Sequence, residues 1–178
     1  MLEKFYPYEY LEDVFSIDYV KLYDIGYRAI LFDIDNTLVP HGADSTEQVV
    51  ALFQKIHSLG FKTLLLSNNS EKRILRFKKD IDTEYICEAG KPSPEAYLKA
   101  SSLLHVKKEQ MFVVGDQLFT DIYGANKAGI ASVLVKYIGY YKREWKGYTR
   151  YIENVVLFFY SHSKKYQHRI SNNNKQTI

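Results

Sequence analysis

The chain has 178 residues, 46% of them hydrophobic, with a net charge of +3. This length suits one domain with a real core, and no apolar run is long enough to cross a bilayer and no signal peptide is recognisable. A single cysteine, Cys87, excludes an intramolecular disulfide and fits a reducing, cytoplasmic setting.

The charge is uneven. Residues 136–178 hold nine Lys or Arg against two Glu, which leaves the rest of the chain net acidic. A basic end of this kind often meets phosphate-rich partners. The opening residues 1–27 mix tyrosines and phenylalanines with acids. Ser16 can cap a short helix over 17–25 and Gly26 can close it, with Val20, Tyr23 and Tyr27 turned to a sheet.

Residues 29–32 are a continuous apolar run, expected as a strand buried on both faces of a parallel sheet. The run ends in Asp33 and Asp35, at the strand's carboxyl end, where open α/β sheets bind ligands. Side chains two apart on a strand share a face. Two neighbouring carboxylates repel unless a cation or proton lies between them, so a divalent metal is expected. Taken alone, the D-x-D pattern fits a strand ending in a solvated turn equally well.

Pro40, His41 and Gly42 then mark a turn. A helix is expected over 45–59, capped by Ser45 or Asp44 and buried through Val49, Val50, Leu52, Phe53 and Ile56. The strand 61–66 runs into Ser67, Asn68, Asn69 and Ser70, ahead of a helix over 71–79. Hydroxyls and free N–H groups at a helix start suit an anion, although a plain cap explains them too. A short strand over 83–86 leads to Cys87, read as a small core hydrophobe. Lys91 precedes Pro92, Ser93 and Pro94, so it sits on a stiff loop before a helix and can point at a phosphate. A fourth apolar strand over 111–114 delivers Asp116 and Asp121, followed by a helix over 119–127 and a strand over 131–135. The alternation predicts an α/β fold, with a doubly wound, Rossmann-like, mainly parallel sheet of five strands.

The four strand ends carry, in order, Asp33-Ile34-Asp35-Asn36-Thr37, Ser67, Lys91 before proline, and Gly115-Asp116 with Asp121. This set resembles the haloacid dehalogenase (HAD) superfamily of phosphohydrolases over about residues 25–137. The wording of the first and last motifs is most similar to the YqeG-type phosphatases of subfamily IIIA, a group that resembles phosphatidylglycerophosphate phosphatase. The resemblance implies an Mg²⁺-dependent phosphomonoester hydrolase. It makes Asp33 the nucleophile, Asp35 the acid and base, and Ser67 and Lys91 the phosphoryl ligands, with Asn68 a further contact or a cap. It places the metal on Asp33, the backbone carbonyl of Asp35, and Asp116, with Asp121 binding through water or orienting a ligand. Thr37 is expected to brace the loop, and His41 is assigned no role.

HAD enzymes often carry a cap domain after the first or second motif. Here the intervals 38–66 and 68–90 hold only a helix and a strand each, so a capless site is expected. Either a large or lipid-borne substrate or a neighbouring subunit must then exclude water. The leading substrate by resemblance is phosphatidylglycerophosphate; the alternative is a small or nucleotide-derived monoester. A protein bound to RNA or the ribosome, with catalysis secondary, is the reading from another class.

The expected domains are a core over 1–137, a basic aromatic extension over 138–170 and a disordered tail over 171–178. Trp145 and five tyrosines from Tyr137 to Tyr151 alternate there with Lys142, Arg143, Lys146 and Arg150. A helix over 149–162 would present Ile152, Val155, Val156 and Phe159 on one face. Such a segment can cover the sheet, dock on an anionic membrane or bind RNA. On a membrane, the acidic N-terminal segment is expected to face away from the bilayer.

Overall fold

The computed structural model describes residues 2–139 and 146–172. Six strands form one parallel sheet: β1 (Glu9–Leu11), β2 (Ala29–Phe32), β3 (Lys62–Leu66), β4 (Glu84–Ile86), β5 (Met111–Gly115) and β6 (Ala131–Val135), in the order β1-β6-β5-β2-β3-β4. The sheet thus has one strand more than the five expected. The addition, β1, is a three-residue edge strand in register with β6 through Glu9 and Val133. Three residues among acids and tyrosines leave no readable alternation.

The central strand β2 lies between β3 and β5. Its side chains alternate between two cores, as strand geometry requires. Ile30 and Phe32 join α1 (Tyr19–Asp24), α2 (Glu47–Ser58) and α3 (Glu71–Phe77) on one face. Ala29 and Leu31 join α4 (Glu95–Leu104) and α5 (Tyr123–Ala128) on the other. The strand is buried on both sides, and its Asp33 end opens at the sheet's carboxyl edge.

Several boundaries differ from the sequence expectation. Helix α1 is capped by Asp18, which accepts the Lys21 N–H at 3.0 Å, not by Ser16, whose own N–H is capped by Asp13. Thr46, not Ser45 or Asp44, caps α2 by accepting the Val49 N–H. The helix expected over 119–127 begins as a π-helical turn, Leu118–Ile122, before α5.

The largest correction concerns α6 (Lys146–Ser161). Its buried face is Glu153, Val156 and Tyr160, while Ile152, Val155 and Phe159 are 38–47% exposed. The expected stripe contained only one of the buried positions, because a periodicity of apolar residues cannot register a buried ion pair. Tyr6 packs edge-on against Tyr160. Arg169, which opens α7 (Arg169–Asn172), donates to the Tyr6 and Pro7 carbonyls. The N-terminal segment therefore lies against the C-terminal one. The expected basic aromatic residues Tyr140, Tyr141, Lys142, Arg143 and Trp145 lie outside the described residues, as do the side chains of Lys146 and Tyr148 and residues 173–178 of the expected tail. Among the described residues, no helix is long and apolar enough to cross a membrane.

Candidate active site

The carboxyl ends of β2, β3 and β5 and the loop after β4 converge on one cleft of about 220 Å³, lined by Asp33, Asp35, Ser67, Asn68 and Lys91 among others. Residues 38–66 are used by a turn, α2 and β3, and residues 68–90 by α3, β4 and their connections. No domain is inserted over the cleft from either interval.

Asp33 and Lys91 are the centre. The Lys91 ammonium donates to Asp33 Oδ1 and to Asp121 Oδ1, both at 2.6 Å, and its side chain is 4% exposed. Burial alone would lower the lysine's pKa, but the Asp121 and Asp33 carboxylates outweigh it and hold the ammonium charged. Burial pushes Asp33 up to about 6, with Asp121 adding to the rise and Lys91 opposing it. Lys91 is placed by Asn68, whose side-chain oxygen accepts the Lys91 N–H at 2.8 Å and whose amide donates to the Lys91 carbonyl. Asn68 is thus not a helix cap; it braces the loop that aims the lysine, and it also lines the cleft.

The Thr37 hydroxyl lies 3.2 Å from Asp33 Oδ2 and 3.3 Å from Asp116 Oδ1. It brings the facing oxygens of the two acids together. Asp116 is 2% exposed. Burial and the Asp121 and Asp33 charges push it up to about 7, against the Arg150 guanidinium. Asp121 Oδ2 accepts the Gln117 N–H, which closes the turn after β5. Gly115 allows that closure, because a Cβ there would lie 2.4 Å from Asp121 Cβ.

Asp33, Asp116 and Asp121 offer ligand atoms all within 4.8 Å of one another. Three buried carboxylates with a single lysine among them suit a hard divalent cation. The Asp35 side chain is not part of this cluster. It accepts from Arg73 at 2.8 Å, Asn69 at 2.5 Å and the Gly42 N–H at 2.9 Å. Burial would raise its pKa, but the Gly42 N–H and Arg73 prevail and hold it below the ordinary carboxylate value. The repulsion expected between Asp33 and Asp35 is relieved by two separate side-chain cations, Lys91 and Arg73. His41 is 66% exposed at the side chain, with Nδ1 3.5 Å from Asp35 Oδ2. Ser67 is fully buried at the end of β3, and its hydroxyl oxygen accepts from Asn69.

Arg73 and Glu153 went unseen in the sequence, and Arg150 was read there only as part of a basic surface. Arg73 had a faint signal, as a cation in the first turn of the helix that follows Ser67. Arg150 and Glu153 are a charged pair three apart within a helix that is otherwise apolar on that side.

A parallel α/β sheet whose central strand delivers a buried aspartate to a lysine and a second acidic strand end has the arrangement that phosphoryl-transfer chemistry needs. The chain is 35% identical over 137 residues to the "Probable phosphatase YqeG" of Bacillus subtilis (strain 168), covering 76% of this chain and 80% of that protein. Residues 88–156 match the HAD-hydrolase-like family model. The protein belongs to the HAD-like phosphatases, and it is a phosphatase of that type. It is also 35% identical over 88 residues to a glyceraldehyde 3-phosphate phosphatase of Pyrococcus furiosus, of which it spans 37%. Two solved structures share the fold. An uncharacterized protein from Listeria monocytogenes serotype 4b has a TM-score of 0.54 at 20% identity, covering 66% of this chain and 84% of that one. The cobalt-bound deoxy-D-mannose-octulosonate 8-phosphate phosphatase of Haemophilus influenzae has a TM-score of 0.50 at 15% identity, covering 79% and 92%.

Proposed function

We propose that this phosphatase cleaves a phosphomonoester through an aspartyl-phosphate on Asp33, with Mg²⁺ as cofactor. The observation that carries the reading is Asp33 itself. It is buried at the base of the cleft, ion-paired to Lys91 and facing Asp116 across the Thr37 hydroxyl. Asp33, Asp116 and the backbone carbonyl of Asp35 would hold Mg²⁺, with Asp121 binding through water or steering Lys91. When bound, the cation neutralises charge on the phosphoryl oxygens.

The chain's own side chains do the rest. An Asp33 oxygen bonds to phosphorus as the ester oxygen departs, which splits one hard step into two. Asp35 gives the leaving alkoxide a proton and later takes one from the attacking water. Arg73 and Gly42 hold it ionised, the form that the second half needs. The proton for the first half must therefore be acquired as the monoester docks. Ser67 and Lys91 bind phosphoryl oxygens, and Lys91 offsets charge as it builds.

The substrate class we favour is lipid-borne, with phosphatidylglycerophosphate as the leading case, in line with a place among YqeG-type enzymes of subfamily IIIA. Residues 1–137 would be the catalytic core and 138–170 the docking part of an enzyme that is cytoplasmic and peripheral to the membrane. Two features support this. Neither interval between the first three motifs inserts a cap over the cleft. Helix α6 turns Tyr151, Ile152, Val155, Phe158 and Phe159 outward, from 38% to 68% exposed, ahead of exposed Lys164 and Lys165. An apolar stripe ending in cations suits an anionic bilayer surface. Arg150, expected in that surface, is turned inward and takes no part. A small soluble ester is the second reading, supported by the names of relatives such as the glyceraldehyde 3-phosphate phosphatase.

Phosphate release from phosphatidylglycerophosphate in anionic vesicles and from glyceraldehyde 3-phosphate separates the two. EDTA should silence both and added Mg²⁺ restore them. Changing Phe158 and Phe159 to Ser and Lys164 and Lys165 to Glu should cut vesicle co-sedimentation and lipid turnover at least about tenfold, at about 1 kcal/mol per charge near the surface. The soluble rate should hold. Unchanged lipid turnover in that variant sinks the docking surface, and faster release from the soluble ester by the parent favours the second reading.

A further inference from the structure

We infer that Arg150 is a positioning residue of the metal site, so that helix α6 is a working part of the catalytic centre rather than only a cover for the sheet. The argument starts from which oxygen each cation holds. Lys91 takes Asp33 Oδ1 and leaves Oδ2 toward Thr37. Arg150 repeats this on the opposite acid. Its Nη2 donates to Asp116 Oδ2, which leaves Oδ1 toward Thr37. The two inner oxygens face each other, where a hard cation needs them.

Arg150 is itself fixed three times over. Nη1 donates to the Asp116 carbonyl at 2.7 Å and to Glu153 Oε2 at 2.8 Å, and the guanidinium lies over the Tyr137 ring, 4.7 Å from its centroid. Glu153 is anchored in turn, because its Oε1 accepts the Leu118 N–H at 2.9 Å. One pair of side chains thus ties α6 to both the ligand Asp116 and the turn that carries Asp121.

The alternative is that Arg150 only closes the packing or competes with the cation. A cavity of about 210 Å³ answers the first point. It lies on the Arg150 side of Asp116, with Lys136, Tyr137 and Asn154 in its wall. Without the guanidinium, water from that space reaches Asp116, whose remaining side-chain hydrogen bond is the 3.3 Å contact with Thr37. The carboxylate is then free to turn away from Asp33. On the second point, the charge of Arg150 is matched by Glu153, so the pair adds no net positive charge against a metal. Groups that hold a metal ligand from behind are worth about 10- to 100-fold in metal affinity.

The inference rests on the Mg²⁺-assisted reading above, and the test keeps the two apart by measuring Mg²⁺ binding calorimetrically on the full chain without substrate. The informative variant is the double change Arg150→Gln with Glu153→Gln. It preserves local net charge and removes the Glu153 carboxylate together with the cation that paired it, so that the loss of the Arg150 contact falls on Asp116 alone. It should bind Mg²⁺ at least about tenfold more weakly than the parent, with a cooperative thermal transition retained in the absence of Mg²⁺. Arg150→Lys should fall between, because an ammonium reaches Asp116 but cannot fork to Glu153 as well. In turnover the loss should be in the Mg²⁺ concentration required, with the KM for the ester unchanged and kcat at saturating Mg²⁺ within about threefold. Mg²⁺ affinity in the double variant within about twofold of the parent, or tighter, overturns the positioning role. A parent that takes up no Mg²⁺ overturns this inference together with the metal-assisted reading.

Discussion

Asp33→Asn should abolish phosphatase activity by at least about 10⁴-fold, since in the proposed mechanism Asp33 supplies the attacking oxygen and a lost nucleophile is not replaced by the rest of the site. The fold should survive the change. Asparagine matches aspartate in shape and keeps an oxygen for the Lys91 ammonium. One negative charge also leaves a crowd of three buried carboxylates, and Lys91 retains Asp121 at 2.6 Å. The measurement is phosphate release from p-nitrophenyl phosphate, with a urea titration alongside. Residual activity within about tenfold of the parent would rule out Asp33 as nucleophile.

Lys91→Met should be costly in a different way. The ammonium is buried between Asp33 and Asp121, and methionine fills its stem but pairs neither acid. Removing one member of a buried ionic group leaves uncompensated charge, at a cost of about 3–5 kcal/mol. Asp33 limits the loss because its pKa is already raised to about 6 by burial, so it takes up a proton once its cation is gone. Activity should vanish with the charge that offsets the phosphoryl group. Urea unfolding of the variant in the absence of Mg²⁺ checks the stability side. A loss under about 1 kcal/mol would mean that Lys91 is not the cation holding the cluster together. The two variants therefore divide the roles: Asp33→Asn removes chemistry and keeps the fold, while Lys91→Met removes both.

The parts that sequence made readable were those with local causes. A strand buried on both faces is a run of apolar residues, so β2, β3, β5 and β6 were visible, and the acids after β2 and β5 were visible with them. Lys91 stood out because Pro92 and Pro94 stiffen its loop. The less visible parts depend on contacts between distant residues. Arg150 and Asp116 are 34 positions apart, and nothing near Asp116 announces the helix that reaches it. Helix α6 was assigned the wrong buried face for the same reason. Ile152, Val155 and Phe159 form the better apolar stripe, but the Arg150–Glu153 pair turns the helix so that Val156 and Tyr160 go inward. Strand β1 was lost to brevity. The repulsion expected between Asp33 and Asp35 is met by side chains as well as by any cation. The charges do need relief, but Arg73 relieves Asp35, while Asp116 and Asp121 join Asp33 in the cluster.

The chemistry of Asp33 can be caught directly. A single-turnover reaction with a slow monoester, quenched in acid and digested, should yield a peptide containing Asp33 that carries the mass of one phosphoryl group. Mild base or hydroxylamine should discharge it, as expected of an acyl phosphate, and Asp33→Asn should show no labelled peptide. A parent that releases phosphate at its full rate with no phosphoryl group ever found on Asp33, or with the label on another residue, would contradict the aspartyl-phosphate account.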